Sequence, residues 1–157
     1  MDVPHSEWRV VEKELSSWLR SFSGRNLVFR NPNQAIPGYP SDGFRSDGLL
    51  TNNKVLLAIE VEFGQSHPDT NVGKYWLLAE HHQYAKIYLF HVYTPRFNSY
   101  EWRKRLGEFY ARKMEAELPF PYVQLDQRRA ASVAATIEDV KAAMLPIIEH
   151  EFGNEGS

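Results

Sequence analysis

The chain contains no cysteine, which removes both a disulfide framework and a thiolate metal site. The redox compartment is left open, with the cytoplasm as the expectation. No run approaches the roughly 20 consecutive apolar residues of a membrane span, so no membrane partner is expected. The start, Met1-Asp2-Val3-Pro4-His5, lacks a basic region followed by an apolar stretch, so no secretion signal is expected. Base is not in excess: 18 Lys and Arg stand against 20 Asp and Glu, a net charge of −2. That argues against a basic nucleic-acid coat, though not against an enzyme that gathers acid at its site and base around its rim. A Walker glycine-rich loop, a dinucleotide fingerprint, a serine nucleophile elbow and the H-E-x-x-H pattern are also missing. His81 and His82 are adjacent and point to different helix faces, while His67 and His91 stand alone, so no histidine metal site is expected.

What is present is enough for a core. The chain has 157 residues, 43% of them apolar and 13% aromatic, with no repeat, low-complexity tract or linker. One domain over residues 1–157 is the expectation. The most informative run is Lys54-Val55-Leu56-Leu57-Ala58-Ile59-Glu60-Val61-Glu62-Phe63. Its length and β-branched content suit a buried central strand. Residues two apart on a strand share a face, so Glu60 and Glu62 project together, about 7 Å apart at Cα. Burying two ionised carboxylates side by side is unfavourable without a cation.

Asp47 supplies a third acid. Ser46-Asp47-Gly48-Leu49-Leu50 reads as a strand, and Thr51-Asn52-Asn53-Lys54 reads as the turn of a hairpin. Asp47 and Glu60 lie at similar distances on either side of that turn, so the hairpin brings them together. Oxygen ligands of this kind select Mg²⁺, Mn²⁺ or Ca²⁺ over zinc. The competing interpretation is a hairpin whose outer face carries solvated acids. The apolar run before Glu60 and the polar exit Phe63-Gly64-Gln65-Ser66 count against it.

Periodicity places a helix over 6–22, with Ser6 as a cap, then a short strand over 26–30 and a proline-rich loop over 31–40. The loop around Tyr39 is a candidate either to enter a groove or to close a dimer, and the sequence does not decide between them. After the hairpin come a helix over 71–83 capped by Asp69 or Thr70, a strand over 86–93 and a helix over 100–117. A last strand over 122–125 and a helix over 137–152, bent or broken near Pro146, complete the pattern. The expected class is α/β: a mixed central sheet flanked by helices, with the strands joined by the 71–83 helix running parallel.

This order, with an Asp on the second strand and Glu60-x-Glu62 on the third, resembles the PD-(D/E)xK nuclease superfamily. The resemblance covers about residues 6–93. It implies the restriction-endonuclease-like α-β-β-β-α-β core, here with a C-terminal helical extension. The proline before Asp47 is absent, and Glu62 replaces the usual lysine, a Glu-x-Glu variant found in some restriction endonucleases. The resemblance further implies DNA as substrate and Mg²⁺ as cofactor, with Mn²⁺ as substitute, held by Asp47, Glu60 and the Val61 carbonyl. Glu62 would bind metal, accept a proton from the attacking water, or both. Lys74, three residues after Asn71 on the next helix, would supply the missing positive charge. A plain surface lysine is the alternative for it. Glu12 or Glu14 would add an outer-sphere acid, with a solvent-facing helix surface as the alternative for both.

Arg103-Lys104-Arg105, next to Trp102, form either a contact to the DNA backbone or a solvated helix face. Other basic groupings are Arg20-Arg25-Arg30, Arg112-Lys113 and Arg128-Arg129. A small one-site chain that cuts duplex is expected to be a homodimer, with Phe97, Tyr100, Trp102, Phe109, Tyr110, Phe120 and Tyr122 as candidate interface or core. Two functions stay open: a type II restriction-like, Mg²⁺-dependent endonuclease, and a non-catalytic DNA-binding or assembly subunit that kept the fold.

Overall fold

A computed structural model describes residues 5–24, 26–64, 67–82, 84–97 and 101–153. Arg25, Gln65, Ser66, Gln83 and Tyr100, which figured in the sequence expectations, lie outside them. Helix α1 spans His5–Arg20. Trp8, Val11, Leu15 and Leu19 form its buried stripe at three- and four-residue steps. Ser6 lies inside this helix, not ahead of it as a cap.

Strands β1 (Val28–Arg30), β2 (Gly48–Thr51), β3 (Val55–Gly64), β4 (Lys86–Phe97) and β5 (Tyr122–Asp126) build one sheet in the order β1-β2-β3-β4-β5. The pairs β1–β2 and β2–β3 are antiparallel, while β3–β4 and β4–β5 are parallel. Helices α2 (Pro68–His81) and α3 (Glu101–Glu117) make the two crossovers that parallel neighbours require, and α4 (Val133–Phe152) closes the chain. The fold is therefore α/β, with a mixed five-stranded sheet and four helices.

Strand β3 shows why its run is almost entirely apolar. Leu57, Ile59 and Val61 pack toward α1 and α4, whereas Leu56 and Ala58 pack toward α2 and α3. Both faces are covered, as a central strand with flanking helices demands. Glu60 and Glu62 continue the α2-facing set at the strand's end.

Several boundaries differ from the sequence expectation. Helix α2 starts at Pro68, not Asn71, because proline suits a first helical position where its missing N–H has no partner to lose. Asp69 and Thr70 consequently sit within the first turn, and His67 occupies the cap without a side-chain bond. Strand β4 runs on to Phe97: β3 continues to Gly64, and a shift after Glu62 pairs Gly64 with Phe97. Thr94 Oγ1 donates to the Glu62 carbonyl at 2.8 Å across this extension. Helix α4 begins at Val133, where Ser132 Oγ accepts from Ala135 N–H at 3.1 Å, and it passes Pro146 unbroken. The buried Met144, Ile148 and Phe152 hold both sides of that proline in place. Among the described residues, no helix is long and apolar enough to cross a membrane.

Candidate functional site

The hairpin fixes the site. Asn52 Oδ1 accepts from the N–H groups of Lys54 at 3.0 Å and Val55 at 2.8 Å, and Asn53 adopts a φ of 71°. Asparagine tolerates that left-handed conformation better than most residues. The register that follows pairs Gly48 with Ile59, which sets Asp47 opposite Glu60. Asp47 stands one residue ahead of β2, not within it, yet its N–H still donates to the Ile59 carbonyl at 3.2 Å. Its Oδ2 accepts from the Val61 N–H at 2.7 Å.

Helix α2 brings its first two turns over the acids. The Lys74 ammonium forms a buried ion pair with Glu60 Oε1, and the Tyr75 hydroxyl donates to the same oxygen at 2.7 Å. Lys74 Nζ also donates to the Arg45 carbonyl at 2.6 Å and lies 3.4 Å from Asn71 Oδ1. Asn71 Nδ2 donates to Glu62 Oε1 at 2.6 Å. The buried His91 ring sets Nε2 against the same Glu62 oxygen at 2.8 Å and Nδ1 against the Tyr122 hydroxyl at 2.8 Å.

Asp47, Glu60, Glu62, Asn71 and Lys74 line a cleft of about 290 Å³ at the end of β3, together with Glu12, Pro32, Arg45, Ser46, Val61 and Phe63, while Tyr75 and His91 are buried behind it. Charge in it is unbalanced. Burial pushes the Asp47 carboxyl well above the usual carboxylate range, and the charges of Glu60 and Glu12 push it further. Glu60 is raised too, because burial outweighs the pull of Lys74 and the Tyr75 bond. Burial and then Glu60 raise Glu12.

Asp47, Glu60, Val61, Glu62 and Lys74 thus meet in one place, with Asn71 beside them. Of the two first-helix acids, Glu12 lines the cleft and Glu14 is exposed away from it. The basic run on α3 is divided. Lys104 turns inward, 5.1 Å from the Tyr93 ring centre and 3.2 Å from Gln124 Oε1. Arg103 pairs with Asp69 at 3.2 Å, and Arg105 lies 5.0 Å over Trp102. The Tyr39 hydroxyl donates to the Lys74 carbonyl at 2.7 Å, which ties the proline-rich loop onto α2.

Two neighbours of the candidate site were absent from the sequence expectation. Tyr75 follows Lys74 directly, and nothing in the sequence marks it apart from other aromatics. His91 is not isolated, because the parallel pairing of β3 with β4 sets it opposite Glu60 and within reach of Glu62. Its signal was the one that revealed Glu60, a polar residue inside an otherwise apolar strand.

Among the described residues, no three acidic or histidine side chains already form a cage that would hold an ion. The donor set nonetheless suits a divalent cation. The hard carboxylate oxygens of Asp47 and Glu60 belong to neighbouring strand positions, and a doubly charged ion would relieve the repulsion that raises both. Comparison with protein-family models, curated proteins and solved structures found no match.

Proposed function

We propose that this chain is a divalent-metal-dependent endonuclease that hydrolyses DNA phosphodiester bonds on a restriction-endonuclease-like core of the PD-(D/E)xK type, in its Glu-x-Glu form. The observation that carries it is the register that sets Asp47 opposite Glu60 in an open cleft, with both carboxyls raised and Lys74 reaching in from α2. The strand order and the acids' positions at the end of β3 support the same reading.

Asp47 and Glu60, with the Val61 carbonyl, would hold Mg²⁺, or Mn²⁺ in its place. When bound, the ion supplies charge stabilisation to the phosphoryl group and the leaving 3′-oxygen and makes water more acidic. Glu62, held by Asn71 and His91, accepts the proton that the attacking water loses. The water oxygen forms the new bond to phosphorus as the bond to the 3′-oxygen breaks. The Lys74 ammonium stabilises negative charge on the phosphoryl oxygens. Cutting both strands of a duplex calls for two such sites, and a homodimer supplies them.

The test is Mg²⁺-dependent cleavage of plasmid and linear DNA. Asp47→Ala and Glu60→Ala should each abolish cutting while DNA binding without metal is retained or strengthened. If both variants cut as well as the parent, the chemistry lies elsewhere.

A second reading is a DNA-binding or assembly subunit that retains the scaffold. It is favoured by the direct Lys74–Glu60 ion pair and by Glu62 at the position of the usual lysine. Calorimetric titration with Mn²⁺ separates the two readings. Binding that disappears in Glu60→Ala favours the enzyme, and no binding by the parent favours the subunit.

A further inference from the structure

A second, larger groove of about 660 Å³ adjoins the acidic cleft and shares Glu12, Pro32 and Phe63 with it. One wall is α1, which presents Arg9, Lys13, Ser16, Ser17 and Arg20. The spacing i, i+4, i+7, i+8 and i+11 puts all five on one helix face. The other wall is the start of the proline-rich loop, with Pro32 and Asn33.

The cations of this groove are not committed to ion pairs of the fold. Lys74, Arg103, Arg112 and Arg128 each pair with an acid. Arg9, Lys13 and Arg20 are exposed, and among the described residues no acid forms an ion pair with them. Three cations face a single carboxylate, Glu12, so the groove is net positive in a chain whose net charge is −2. Arg20 is steadied by the Phe29 ring, 5.2 Å from its guanidinium carbon. From Arg9 to Arg20 the helix rises about 16 Å, roughly five base-pair rises along the axis of a DNA duplex. Cations spread along a line suit a linear polyanion better than a single small anion, which would need them to converge.

We propose that the α1 groove holds the backbone phosphates that flank the scissile bond, through Arg9, Lys13 and Arg20. This rests on the nuclease reading above and assigns its substrate track to α1, not to the basic run of α3. The contacts are to phosphate and carry no base readout, so binding through them is independent of sequence and strongly dependent on salt. Glu12 marks the point where the track passes from base to the acidic cleft.

The experiment compares the parent with the triple variant Arg9→Gln/Lys13→Gln/Arg20→Gln. A fluorescent 20-base-pair duplex and its single strand are titrated in EDTA across salt from about 50 to 200 mM. The triple variant should bind at least about tenfold more weakly and show a log–log salt slope shallower by about 2–3. Its unfolding midpoint should shift by only a few degrees, because the three side chains are exposed and the Arg20–Phe29 contact is a surface one. The control Arg103→Gln/Arg105→Gln should bind as the parent does. A triple variant with the parent's affinity and slope overturns the proposal, as does a larger loss in the control or a parent that binds neither probe. Cleavage with Mg²⁺ keeps the two levels apart. Weakened binding by the triple variant, where the parent never cuts, leaves the track standing and removes the nuclease. Full cutting at unchanged KM by the triple variant does the reverse.

Discussion

Burial governs Asp47 and Glu60 before any chemistry begins. Both carboxyls have lost water, and each feels the charge of neighbouring acids. An acid whose folded pKa is raised stabilises the fold fully below its unfolded pKa, and that contribution disappears as pH rises through the folded value. The metal-free protein should therefore lose stability as pH climbs from about 4 toward neutrality. Asp47→Asn keeps an acceptor for the Val61 N–H and removes the charge. It should raise the thermal midpoint at neutral pH by about 2–4 °C, near 1 kcal/mol, and flatten the pH slope. Mg²⁺ or Mn²⁺ should raise the parent's midpoint far more than the variant's, and EDTA should reverse the gain. Glu60→Gln should act in the opposite sense, because it leaves the buried Lys74 ammonium without a carboxylate, a loss of about 3 kcal/mol. Thermal melts from acid to neutral pH check all of this, and a lower neutral midpoint for Asp47→Asn would contradict the charge imbalance.

At the scale of elements, the hairpin sets the site because its register decides which residue meets Glu60. A slip of one residue would turn Asp47 to the other face of the sheet. Asn53, with its φ of 71°, anchors that register. Asn53→Val puts a β-branched side chain in the left-handed region and should cost about 1–2 kcal/mol, whereas Asn53→Gly should cost nothing. Denaturant midpoints at constant m-value measure the difference. The same hairpin explains what the sequence made legible. An Asn-Asn turn lets positions be counted outward on both strands, so Asp47 and Glu60 could be matched. The apolar run of β3 announced a strand covered on both faces. His91 could not be matched in this way, because a helix lies between β3 and β4 and the register of a crossover cannot be counted from a turn. Pro68 reads as a break in sequence, although as a first helical residue it opens α2. In Arg103-Lys104-Arg105 each residue turns about 100° from the last, and charge alone does not say that the middle one faces inward.

At the scale of the whole molecule, the sheet separates two surfaces, with α1 and α4 on one face and α2 and α3 on the other. Three aromatics once open as interface candidates, Phe97, Phe120 and Tyr122, are buried and belong to the molecule's own core. Trp102 and Phe109 are different: they are 75% and 55% exposed, and with Leu106 they follow an i, i+4, i+7 stripe along α3. If two copies associate, this stripe is the surface that loses most by staying in water, and it lies across the sheet from the α1 groove. A two-fold contact of α3 on α3 would leave both grooves open to DNA. Arg105 and Lys113 lie over the Trp102 and Phe109 rings, at 5.0 and 5.6 Å, so each copy brings like charge to the contact. Self-association through α3 should therefore tighten as salt screens that repulsion, while DNA binding weakens with salt. Trp102→Ala should loosen the dimer by about 2 kcal/mol, roughly thirtyfold in Kd, and leave DNA affinity without metal unchanged. Sedimentation equilibrium at micromolar concentration and two salt levels reads this directly. A strict monomer at both levels, with and without DNA, would mean that each copy cuts or binds one strand alone.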